Sequence, residues 1–78
     1  MKNIDKYNRI FMDYLDVDVS ELSELSYQSK SSWDSVGHMA IISELEEVFE
    51  IMLDTDDIID FSSFEKGKEI LRKYDVAI

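Results

Sequence analysis

The sequence predicts an all-α fold: a small four-helix bundle, with three main helices, a short third one, and a long loop between the first two. Three observations carry that expectation. Apolar residues recur at spacings of three and four in separate stretches of the chain. Proline is absent, so no stretch is interrupted by one. The single alternating run, Asp16-Val17-Asp18-Val19-Ser20, is short, and no second strand pattern exists to pair with it. A length of 78 residues allows one domain, spanning 1–78, with a modest core.

The first helix is expected over about residues 3–16, where Ile4, Tyr7, Ile10, Phe11, Tyr14 and Leu15 fall on one face. Residues 17–33 read as a long loop, with Leu22 and Leu25 plugging it onto the core; loops this long have a packing or functional reason. The second helix should start at Asp34 or Ser35, either of which is a good N-cap, and run to about Glu50. Its core stripe is Ile41, Ile42, Leu45, Val48, Phe49 and Met52. Val36, Met39 and Ala40 fall on the opposite side with Ser43 and Glu47, either packed under the long loop or forming a contact surface for partner proteins. A short helical turn follows over 54–60, capped by Asp54 or Thr55. Ser62 or Ser63 caps a last helix to about Tyr74, in which Phe64, Gly67, Leu71 and Tyr74 share a face. Glycine costs helix propensity there, so Gly67 signals close approach of a neighbour.

Charge narrows the function. The net charge is −10, and no Lys or Arg lies between Asp34 and Asp60. That excludes a basic nucleic-acid footprint and attraction to anionic membranes, and it favours partners with basic docking patches. The chain has no cysteine, no run of membrane-spanning length and no secretory signal pattern. A soluble, cytoplasmic monomer is the expectation.

The segment Trp33-Asp34-Ser35-Val36-Gly37-His38-Met39 leads directly into the acidic, amphipathic second helix. It puts one serine at a helix start, where unpaired N–H groups and positive partial charge suit a phosphate. Asp34-Ser35-Val36, followed by Ile41, Ile42 and Leu45-Glu46-Glu47-Val48-Phe49, resembles the signature of the acyl carrier proteins of the phosphopantetheine-binding family. The resemblance spans essentially the whole chain in helix order and length. Val36 replaces the family's commonest leucine, and the usual proline before the third helix is absent. Trp33 and Gly37-His38 look like free-standing carriers outside primary fatty acid synthesis.

The resemblance implies that a phosphopantetheinyl transferase attaches 4'-phosphopantetheine from coenzyme A to Ser35, with Asp34 helping to present the serine. It implies that the arm holds acyl groups as thioesters for partner enzymes of fatty acid, polyketide or related biosynthesis, and that the chain itself is no enzyme. Val36, Met39, Ser43, Glu46 and Glu47 match the positions where such carriers meet those partners, with Glu44 a further candidate. The alternatives are an aminoacyl or D-alanyl carrier, and an acidic helical interaction module that is never modified.

Two other patterns are weighed and set aside. Asp34, Ser35 and His38 are the residue types of a hydrolase triad, but they sit within one helical turn and lack a G-x-S-x-G elbow. Asp54, Asp56, Asp60 and Glu65 fit EF-hand spacing, but Ile59 stands where the sharp turn needs glycine. No metal site is expected, beyond loose divalent-ion association with the acidic cluster.

Overall fold

The computed structural model describes all 78 residues. It consists of α1 (Asn3–Leu15), a 3-10 helix (Val19–Glu24), α2 (Ser35–Phe49), α3 (Thr55–Asp60) and α4 (Phe64–Lys73). There are no strands; one isolated antiparallel bridge joins Ser26 to Ser63. The all-α expectation therefore holds. The segment 17–33 is less irregular than expected, because its first part winds into the 3-10 helix. Two reciprocal bonds close that turn: Asp18 N–H donates to the Glu21 carboxylate, and Glu21 N–H donates to the Asp18 carbonyl, both at 3.0 Å.

The α2 start agrees with the sequence. Asp34 is the N-cap, its Oδ1 accepting from Gly37 N–H at 2.8 Å. Ser63 caps α4 in the same way, accepting from Lys66 N–H at 2.9 Å. Asp54 occupies the N-cap position of α3 without a side-chain capping bond. α1 and α2 both end on residues in the left-handed region, Asp16 (φ 54°) and Glu50 (φ 55°), where glycine is the usual terminator.

The core lies between α1, α2 and α4, with the loop folded over it. Tyr7, Phe11, Trp33, Phe61 and Phe64 form its aromatic centre, Phe11 meeting Trp33 edge-on at 5.4 Å and Phe64 at 5.2 Å. Leu22 and Leu25 are buried, as expected of residues that pin the loop. Tyr7 donates its hydroxyl to the Phe64 carbonyl at 2.7 Å, tying α1 to α4, and burial pushes that phenol far above its ordinary pKa. Gly67 sits where a Cβ would fall 2.2 Å from both the Tyr7 hydroxyl and the Phe61 ring, so close approach is the reason for glycine.

Two residues leave the expected core faces. Met52 is 83% exposed because the chain turns left-handed at Glu50, and the helical stripe does not continue past it. Tyr14 is 43% exposed, standing beside Glu44 and Val48 at the rim of the α1–α2 contact.

Candidate functional site

Ser35 is the first residue of α2 and is exposed. The capping bond to Gly37 N–H and the bond from His38 N–H to the Asp34 carbonyl at 2.7 Å engage the next amides. The N–H groups of Ser35 and Val36 have no acceptor within the protein, so the positive end of a 15-residue helix is open at the serine. Asp34 caps the helix and is itself exposed.

The loop before Ser35 is pinned rather than slack. Gln28 N–H donates to the Trp33 carbonyl and Trp33 N–H to the Lys30 carbonyl, both at 3.0 Å. Lys30 pairs with Glu21 at 3.1 Å, tethering the loop to the 3-10 helix and holding the Glu21 carboxyl below its ordinary pKa, after the larger effect of the Asp18 amide. The Ser32 carbonyl lies against the first turn of α2, 1.9 Å from where a Cβ on Gly37 would stand. Glycine at 37 is what lets the loop cross the helix there.

Trp33 is fully buried, and its indole N–H donates to His38 Nδ1 at 3.0 Å. An indole nitrogen can only donate, so Nδ1 accepts and the ring proton sits on Nε2. Nε2 then donates to the Ile58 carbonyl at 2.8 Å. One unbroken chain thus joins the pre-Ser35 loop, α2 and α3. Both nitrogens of His38 are engaged by these bonds: its one in-plane lone pair, on Nδ1, is held by Trp33 and is not free to act on Ser35.

Ser35 also lines a groove of about 350 Å³. His38 and Met39 of α2 form one wall, Ile58 and Ile59 of α3 another. Tyr27 and Ser62 stand on the loop side, held together by Tyr27 N–H donating to the Ser62 carbonyl at 2.8 Å, with Phe61 beneath. No lining side chain is charged.

The other expected partner-facing positions sort by exposure. Val36 is 78% exposed and Met39 half exposed, so the long loop does not cover this face. Ser43 and Glu47 are exposed on the same side of α2. Glu46 is half-buried, and its carboxylate accepts from Leu53 N–H at 2.9 Å, closing the turn between α2 and α3. Glu44 lies on the α1 side with Lys6 and Arg9, away from the groove. Residues 54–60 form the cap and body of α3 rather than an ion-binding loop, and no three acidic or His side chains converge as metal ligands.

The groove-lining role of Tyr27, Ile58, Ile59 and Ser62 was not readable from the sequence. Its one trace is the adjacent Ile58-Ile59 pair, since a six-residue surface helix cannot bury both; Ile59 is 72% exposed.

No protein-family model matches this chain, and no curated protein matches it.

Proposed function

We propose that this chain is a free-standing acyl carrier, a four-helix bundle that carries 4'-phosphopantetheine on Ser35 and delivers acyl groups to partner enzymes. The observation that supports the reading best is the placement of Ser35. It is an exposed hydroxyl at the open end of a long helix, on the rim of a neutral apolar groove, with the preceding loop locked in place. The attached arm supplies a thiol, which a chain without cysteine lacks, and thereby a thioester.

The residues that fit the arm do distinct things. The Ser35 hydroxyl attacks the β-phosphorus of coenzyme A, losing its proton to the transferase as 3',5'-ADP leaves. The free amides of Ser35 and Val36 and the dipole of α2 favour the resulting phosphodiester anion. Asp34 holds the first turn by capping it, and its charge faces the transferase. Val36, Met39, Ser43 and Glu47 offer an apolar spot with an acidic rim, suited to fast, reversible docking on basic patches. Glu46 supports that face by fixing the turn after α2. Commitment of both His38 nitrogens argues against a serine hydrolase.

The test is intact-mass analysis after incubation with a promiscuous phosphopantetheinyl transferase, Mg²⁺ and coenzyme A. The wild-type chain is expected to gain the mass of one arm and Ser35→Ala none. An unmodified wild type, or a gain that survives Ser35→Ala, overturns the proposal.

A further inference from the structure

The hydrogen-bond chain through His38 stands between the groove and the core. On the groove side the imidazole is a lining residue beside Met39 and Ile58. On the far side lie Trp33 and, against it at 5.4 Å, Phe11, both fully buried. The ring is packed edge-on against Tyr27 at 5.5 Å and Phe61 at 6.0 Å. A group that enters the core beside His38 separates the imidazole from the Ile58 carbonyl and displaces the indole it accepts from; the floor next to it is closed by Phe61, stacked on Phe11 at 6.2 Å.

Two features make that passage costly. Interiors are close-packed, and the aromatic rings behind His38 leave no room to share. The separated Ile58 carbonyl and indole N–H would be buried without partners. A group resting in the groove itself breaks nothing, and meets a surface without a charged side chain.

We propose that the Trp33–His38–Ile58 chain is a gate that sets cargo length: short, uncharged acyl groups are sheltered in the groove, and longer chains stay in solvent. His38 is the specificity-determining residue, and Trp33 positions it by donating to Nδ1. This rests on the carrier reading of Ser35.

The experiment loads the protein on Ser35 from butyryl-, octanoyl- and dodecanoyl-coenzyme A, then follows thioester cleavage by hydroxylamine with intact-mass analysis. In the wild type, the butyryl thioester should be cleaved more slowly than a free acyl-pantetheine thioester, and the two longer ones as fast as their free counterparts. In His38→Ala the longer thioesters should become protected by about tenfold, the equivalent of two lost hydrogen bonds. His38→Gln, whose amide both accepts and donates, should restore the wild-type pattern. Should His38→Ala lose its helical circular dichroism, Trp33→Phe decides, since it keeps a ring in the core and removes one bond; partial protection of the longer chains is then expected. Equal cleavage patterns in wild type and variant overturn the gate. Failure of the wild type to gain mass from any donor removes the carrier reading instead, and the gate with it.

Discussion

Gly37 shows how a single residue decides the geometry around Ser35. Alanine in a helix is ordinarily favoured over glycine by about 1 kcal/mol. Here the added methyl would stand 1.9 Å from the Ser32 carbonyl, a backbone atom that no side-chain rotation can move aside. Overpacking of this kind costs about 1–3 kcal/mol, so the clash outweighs the propensity. Gly37→Ala is expected to lower the urea midpoint, whereas a raised midpoint would mean the loop does not cross α2 as described. Trp33, Gly37 and His38 were the least legible residues of the motif. Their partners are the Ser32 carbonyl, each other and a carbonyl twenty residues away, and no periodicity encodes such contacts. Ser35 and Asp34 were legible because helix capping is local. Met52 was misplaced for the converse reason: its periodicity was sound, but the left-handed turn at Glu50 had no glycine to announce it.

Among the elements, α3 depends most on polar ties. Of its six residues only Asp57 is buried, and that carboxylate accepts from Lys73 Nζ and the Tyr74 hydroxyl, each at 2.5 Å. Tyr74 accepts in turn from Asp54 N–H at 2.9 Å, so α4 grips both ends of the α3 start. His38 holds the other side through the Ile58 carbonyl. Lys73, then Tyr74, hold the Asp57 carboxyl below its ordinary range, and the same pairing with Asp57 raises Lys73. A depressed folded-state carboxyl stabilises fully above its unfolded pKa and loses that contribution as pH falls through the folded value. Asp57→Asn should therefore lower the melting temperature at pH 6, and the gap to wild type should begin to narrow only below about pH 4, closing as pH falls through the lower folded-state value. A gap that stays constant into acid would show that the charge on Asp57 contributes nothing. The start of α3 at Asp54 was legible from residue type, but these ties were not, because they join residues sixteen to twenty positions apart.

For the whole molecule, charge sets the conditions under which it is stable and finds partners. A Cα radius of gyration of 11.3 Å confines a net charge of −10, with three ion pairs to offset the repulsion. Two of those pairs involve well-exposed side chains on both partners or bridge a single helical turn, where pairs contribute little. Repulsion therefore dominates, and screening relieves it. The melting temperature at neutral pH is expected to rise on adding NaCl up to about physiological strength; a fall would mean that the ion pairs matter more than the self-repulsion. The same acidic field should steer basic partners toward α2, where the apolar spot at Val36 and Met39 is open.

The central claim is that one serine among several neighbours is the attachment point. Ser29, Ser31, Ser32 and Ser35 all lie within seven residues, and all are exposed, yet only Ser35 begins a helix whose first amides are free. Fragment-ion mass spectrometry on the transferase-treated chain separates them. The account predicts the phosphopantetheine mass on Ser35 alone; the mass on any other serine, or on none, would contradict it.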